Sequence, residues 1–334
     1  MLIKRIIFFI CGSLALPAAL GLGPVAQATC GSANCFLVTG TQEGVSASGI
    51  LTVDLSYRFI SQSRRLAGMR DVSEVLTPKI DFENGVIIPD HHREVRTQNT
   101  LVEIDLSYGL TPRLTLAASL PVVNQRDHEH WDDVGTPDEH FTRGDGSSGF
   151  GDVRVGARYA LFVKTKDILT GSLVIKLPTG AYTLHDGEGA INEPTIQPGT
   201  GTTDVILSAI YAHQVVPARL EWFVSAAWRP GRKNDLEYEF GDETLVNAGF
   251  WHKGGERVTW SLQVNWRQTG HDRFLSEEVS STGVTFVDLT PGLRLETSTG
   301  ASLYAFVQVP VQQDVNEVQL APRTALLLGV SKSF

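Results

Sequence analysis

Beyond Ala28 the sequence has no stretch of about 18 consecutive apolar residues, so it offers no later transmembrane helix. Cysteine is nearly absent, with three in 334 residues. Cys11 falls in the N-terminal leader, and Cys30 and Cys35 stand close together just after it. In an oxidising compartment such a pair forms a small disulfide, the other reading being a metal or redox role. An excess of base is missing too: 28 Lys and Arg face 37 Asp and Glu, a formal net charge of -9. An acidic chain is a poor partner for nucleic acid, whose phosphates attract cationic surfaces. Finally, no histidine stands in phase with a nearby serine on a strand-like segment. His213 and His252 occur at segment ends and the others in loop-like stretches. General-base chemistry needs hydrogen-bond reach to the nucleophile, so an enzyme ranks third among the readings.

What is present begins with a leader. Residues 1–28 carry Lys4 and Arg5, an apolar run from Ile6 to Leu22 broken by Gly12, Ser13 and Pro17, and the small-residue end Ala26-Gln27-Ala28. That order is a secretory signal peptide cut after Ala28, and its loss leaves a net charge of about -11. Thr29 and Gln27 argue against a lipidated Cys30.

From Gly49 onward, period-2 alternation dominates. Leu51, Val53, Leu55, Tyr57 and Phe59 oppose Thr52, Asp54, Ser56 and Arg58; Val258, Trp260, Leu262, Val264 and Trp266 oppose Thr259, Ser261, Gln263, Asn265 and Arg267. A soluble sandwich alternates in the same way. The connections separate the two cases, because long stretches (61–99, 126–148, 180–202, 231–240, 270–281, 312–320) take turns with tight ones (110–112, 164–167, 214–217, 253–256, 297–300). Short periplasmic turns opposite long external loops point to an all-β, antiparallel transmembrane barrel of about 12 strands over 49–334 in a Gram-negative outer membrane. Tyr57, Phe59, Tyr108, Tyr159, Tyr211, Trp222, Trp228, Trp260 and Trp266 fall on the apolar phase, as interface girdles do. Phe334 ends the chain in phase with Val330, Leu328 and Leu326. This resembles the signal read by the outer-membrane assembly machinery, except that Lys332 replaces an apolar residue. Lipid and lipopolysaccharide would surround such a barrel.

The polar phase then faces the lumen: Asp54, Arg58, Glu103, Asp105, Arg154, Arg158, Lys176, Glu221, Arg229, Arg267, Asp288, Arg294 and Glu296. Lysine or arginine facing lipid would cost about 2–4 kcal/mol each at the midplane, which forces the assignment. Such a lumen is either a polar pathway or shut by its own ion pairs. The segment 29–48 is a lumen plug stapled by Cys30 and Cys35, or a periplasmic tail. In the second long loop His128 and His130 project to one side of an extended chain and are a candidate metal pair; a solvated acidic loop is the plainer reading. His91 and His92 lie in the first loop. No cofactor is expected.

VIKLPTG at 174–180 followed by QPGTGTTDVILSAIY at 197–211 resembles the outer-membrane transporter-like family named for the MetA pathway of phenol degradation. ASLPVV at 118–123 and GFGDVRVGARYAL at 149–161 look like the same unit repeated. The resemblance covers 49–334 and implies a small transport barrel for hydrophobic or aromatic compounds, without site residues. Physically, Pro121 and Pro178 are placed where strands leave the membrane, and the glycines let the returning strand turn before Asp152 and Asp204. The expectation is a channel for small solutes; the rival is a closed structural or partner-binding barrel.

Overall fold

The computed structural model of the protein describes residues 44–334. The leader, the Cys30–Cys35 pair and residues 29–43 of the N-terminal segment lie outside the described residues. Among the described residues the one helical element is the 3-10 turn Pro194–Ile196. Eleven strands close into an antiparallel barrel: β1 (Leu51–Gly68), β2 (Val86–Thr111), β3 (Leu114–Asp132), β4 (Arg154–Val163), β5 (Asp167–Lys176), β6 (Asp204–Val216), β7 (Leu220–Arg229), β8 (Glu243–Lys253), β9 (Val258–Thr269), β10 (Val284–Glu296) and β11 (Ala301–Ser333). Each pairs with its neighbours in the chain, and β1 closes the ring against both β2 and β11. Closure leaves no strand edge unpaired, which a barrel in lipid requires. The chain end completes it: the Phe334 N–H donates to the Leu51 carbonyl at 2.8 Å, and the Leu51 N–H donates back at 3.3 Å.

Connections at one end of the barrel span 112–113, 164–166, 217–219, 254–257 and 297–300; those at the other span 69–85, 133–153, 177–203, 230–242 and 270–283. We call these the turn end and the loop end. The two faces of each strand separate as the alternation requires. Leu55, Tyr57, Tyr108, Tyr159, Leu173, Trp222, Trp228, Trp260, Val264 and Leu328 are exposed on the outer wall, while the charged phase is buried inside. A slip of one residue in any strand would exchange the two sets.

The ladder departs from the expected loops in two places. β1 and β2 stay paired through Ser61↔Gln98 and Gln62↔Thr97, and β2 and β3 through Arg93↔Trp131, well inside the stretches expected as loops. Above the apolar girdle both faces of these strands are polar, so the alternation disappears while the backbone pairing continues. Pro121 lies within β3 opposite Glu103, at an irregularity of register, where a missing N–H does not break the ladder. The long β11 runs in two halves: Ser302–Val315 lies beside β10 and Val315–Ser333 beside β1, with Glu317 at φ 48 between them. The Gln313 amide donates to the Pro322 carbonyl at 2.9 Å across this bend.

Candidate functional site

Inside the barrel, a belt of charge steps around the wall from β1 to β9. Arg58 donates to Glu103 at 3.1 Å, and Arg154 donates to the other Glu103 oxygen. The Lys176 ammonium lies 2.9 Å from Asp152 and 3.2 Å from Asp204. Arg229 continues the series, 3.6 Å from Asp204 and 3.4 Å from Glu243, and Arg267 closes it at 3.0 Å from Glu243. All these groups are buried. Buried ion pairs repay their desolvation only when the remaining polar atoms are satisfied. Asp152 meets that condition: its oxygens also accept from the Gly180 N–H at 3.0 Å, the Thr200 N–H at 3.0 Å and the Thr200 hydroxyl at 2.8 Å. This explains the repeated glycine-aspartate motif. Gly151, Gly180 and Gly199 stack backbone on backbone, since a Cβ on Gly199 would stand 2.3 Å from the Gly180 carbonyl oxygen. That close approach brings the 177–203 loop down onto Asp152.

Toward the turn end the lumen is aromatic. Trp251 on β8 packs against Phe223 on β7 and, across two strands, Phe306 on β11, with ring centroids 6.1 Å apart in both cases. Tyr304 stacks beside Phe306 and donates to Asp54 at 2.7 Å. The first described residues reach this region: Val45, like Trp251, packs against the cluster of Phe223, Ala212 and Ile168, and the Ser46 N–H donates to the Thr115 hydroxyl at 2.7 Å. Residues 44–48 therefore enter the barrel from the turn end.

At the loop end a cavity holds about 980 Å³ of empty space, its mouth included. Its lining mixes apolar side chains, among them Ile80, Ile196, Tyr238, Phe240 and Val279, with the polar Glu94, His128, Glu193, Arg229 and Asp272. Tyr238 and Phe240 come from the 230–242 connection, and the Pro194–Ile196 turn folds inward from the 177–203 connection, where Asn124 donates to the Pro198 carbonyl at 2.6 Å. Burial raises the Asp272 carboxyl to about 6, although the Tyr238 hydroxyl at 2.7 Å and the Gly241 N–H at 2.8 Å donate to it.

Around the Glu94, His128 and Glu193 part of this lining four histidines gather, His91, His92, His128 and His130. His92 and His130 flank Asp132 at 3.0 and 2.9 Å, His92 also meets Glu193 at 2.8 Å, and His130 lies 3.4 Å from Asp145. Burial alone would lower the His92 imidazole, but Asp132 and Glu193 outweigh it and push it up to about 10. Against its own burial, Glu193 is drawn down to about 2 by His92. Burial lowers His91 and His128.

An outer-membrane channel from Pseudomonas putida F1 overlays on this chain with a TM-score of 0.57, covering 89% of this chain and 100% of that one at 13% sequence identity. The fold is that of an outer-membrane channel. The P. putida toluene transporter TodX (TM-score 0.42, 10% identity, 86% of this chain and 91% of that one) and a Pseudomonas aeruginosa FadL homologue (0.39, 12%, 85% and 90%) overlay too loosely to carry detail. No protein-family model and no curated protein matches the sequence, so the link to the phenol-degradation family rests on the motifs alone.

Within this channel fold, twelve of the thirteen expected lumen residues are buried and Glu296 is half-buried. Arg58, Glu103, Arg154, Lys176, Arg229 and Arg267 belong to the belt. Asp105 accepts from Ser119, Asp288 from Gln308 at 2.6 Å and Glu296 from Ser302 at 2.7 Å, while Arg294 lies over the Tyr304 ring at 5.8 Å. Arg158 and Glu221 are buried too. His128 and His130 do sit side by side, their rings 4.5 Å apart, in a strand rather than a loop. Sequence reasoning missed Glu243, the belt's link between two arginines, because β8 begins directly after a polar connection. It also missed Phe223, Trp251 and Phe306, aromatics on the polar phase. Among the described contacts, His213 shares Asp167 at 2.7 Å with the Tyr211 hydroxyl and has no serine partner, so it reads as a structural pair.

Proposed function

We propose that this protein is an outer-membrane channel for small, largely apolar solutes, which bind first in the loop-end cavity. The loop end then faces the outside and the turn end the periplasm, following the rule that such barrels carry short periplasmic turns. The observation that carries this reading is the cavity itself: a lining of Ile80, Ile196, Tyr238, Phe240 and Val279 with a few polar groups among them is the usual make-up of a small-molecule site. The overlay with an outer-membrane channel supports the barrel's location. We read the two halves of β11 as a hairpin, which makes the barrel twelve-stranded. Phe334, zipped to Leu51, is the point where the assembly machinery would engage. Residues 29–48 act as a plug, for which the inward course of 44–48 is the support.

The buried lumen favours a second reading, a barrel closed by its belt and its aromatics. Proteoliposome uptake of a small fluorescent aromatic by the mature protein distinguishes the two. Uptake that falls when Ile196 and Phe240 are replaced by serine supports the channel; uptake no faster than in empty liposomes, by folded protein with and without 29–48, leaves the closed barrel.

A further inference from the structure

We propose that the cluster around Asp132 is a binding site for a divalent transition-metal ion, with His91 and His92 approaching one carboxylate oxygen and His130, backed by Asp145, the other. The site is assembled by strand pairing. β2 sets Glu94 opposite His130 in β3, and Arg93 opposite Trp131, so the histidines of both strands meet. Asp90, at φ 52, breaks the alternation just before them, and His91 and His92 both turn toward Asp132. His92 Nε2 stands 3.0 Å and His91 Nδ1 3.9 Å from Asp132 Oδ1; His130 Nε2 stands 2.9 Å from Oδ2 and 3.4 Å from Asp145. Ligands about 2.0–2.2 Å from a tetrahedral zinc ion are spaced roughly 3.3–3.5 Å from one another, so sub-ångström side-chain shifts suffice.

Two triads, His91–His92–Asp132 and His130–Asp132–Asp145, each bring their ligand atoms within 4.8 Å of one another. A second observation points to a ligand. The cluster is almost wholly buried, yet His130 Nδ1 has no hydrogen-bond partner, and His128 Nε2 meets only Glu94 Oε2, as an ion pair at 3.4 Å. Buried polar atoms are nearly always hydrogen-bonded, and an open imidazole nitrogen inside a buried cluster of histidines and carboxylates calls for an absent partner. Its chemistry follows from the donors: imidazole favours zinc, copper or nickel over calcium and magnesium, and the four carboxylates Glu94, Asp132, Asp145 and Glu193 supply the negative charge a dication needs. The cluster shares Glu94, His128 and Glu193 with the cavity wall, and Asp145 and Glu193 come from the 133–153 and 177–203 connections. A bound ion would pin both connections to the barrel beside the cavity.

Zinc binding by calorimetry tests this, on mature protein without a histidine tag, stripped of metal, in a Cys30→Ser, Cys35→Ser background that removes the thiols. The parent should bind zinc at least tenfold more tightly than the His92→Gln, His130→Gln variant. His140→Gln should leave affinity unchanged, since His140 belongs to an exposed group with Asp133 and Glu188. Equal affinity in parent and double variant overturns the site. Cobalt(II) added to the parent alone guards against a misfolded variant. Intense visible bands of a four- or five-coordinate ion support the proposal, and the weak bands of hydrated cobalt overturn it.

Discussion

The belt at the loop-end rim of the girdled wall and the histidine cluster on the longer strands β2 and β3 are both buried networks of alternating charge, but they differ in their cations. The belt uses guanidinium and ammonium groups, which present several donors to fixed carboxylates. The cluster uses imidazoles, which bind protons or metals according to conditions. In the belt every carboxylate holds a guanidinium or an ammonium group, whereas in the cluster four carboxylates meet imidazoles. The sharpest way to break this comparison is to remove a shared belt carboxylate. Glu103 holds both Arg58 and Arg154 and is fully buried. Glu103→Ala removes the carboxylate that two buried guanidinium groups share, and removing one partner of a buried pair costs about 3–5 kcal/mol. The expected result is a large drop in the urea midpoint of folded barrel on gels, at any pH at which arginine is charged. Loss of less than about 1 kcal/mol, the range of a solvated pair, would mean that water reaches the belt.

The loop end should instead respond to pH. Asp272 is buried and, among the described residues, makes no ion pair, and its carboxyl is raised to about 6 from 3.8. A carboxyl raised by folding costs nothing below its unfolded value. The penalty grows as pH climbs from about 4 to 6 and is complete above that, at about 1.4 kcal/mol for each tenfold loss of acidity on folding. Asp272→Asn keeps an acceptor for the Tyr238 hydroxyl and removes the penalty. Relative to the parent, the variant should gain about 2 kcal/mol between pH 4 and pH 8, read as the difference in unfolding midpoints. A constant difference across that range would show that Asp272 stays ionised throughout.

Much of this architecture is legible in the sequence, and what is not has a physical cause. The outer wall is legible because lipid tolerates no charge, so Tyr57, Trp222 and Trp260 declare their face, and the opposite phase gives the lumen by exclusion. The upper parts of β1, β2 and β3 are illegible because both their faces are polar. His128 and His130 can be set side by side from spacing alone, but Asp132 meets His92 only through the register of β2 on β3, and Asp145 only through loop folding. The inward aromatics are hidden for a different reason. Phe306 lies over Gly292, where a Cβ would stand 2.3 Å from its ring, and Tyr304 over Gly329 in the same way. An aromatic covering a glycine on the neighbouring strand looks, in sequence, like noise in the alternation.

That packing offers a smaller test of the lipid-girdled half. Gly292→Ala forces its Cβ into the Phe306 ring and within 2.5 Å of the Ser261 hydroxyl oxygen, and overpacking of this kind typically costs about 1–3 kcal/mol. The loss should vanish in the Gly292→Ala, Phe306→Leu double variant, measured as a double-mutant cycle, because the smaller side chain vacates the space. Additive effects would show that Phe306 does not rest on Gly292.

The smallest effect belongs to a pair that resembles the belt in chemistry and differs in place. Arg96 on β2 and Glu129 on β3 lie 2.7 Å apart, above the girdle and partly exposed. Water and salt screen them, and such pairs contribute about 0.2–1 kcal/mol. Arg96→Ala should therefore lower stability only slightly in dilute buffer, and the difference should fade in about 1 M salt, whereas the loss in Glu103→Ala should persist there. Equal salt sensitivity in both variants would erase the distinction between a belt sheltered by lipid and a rim open to water, and would place solvent inside the barrel at the level of Glu103.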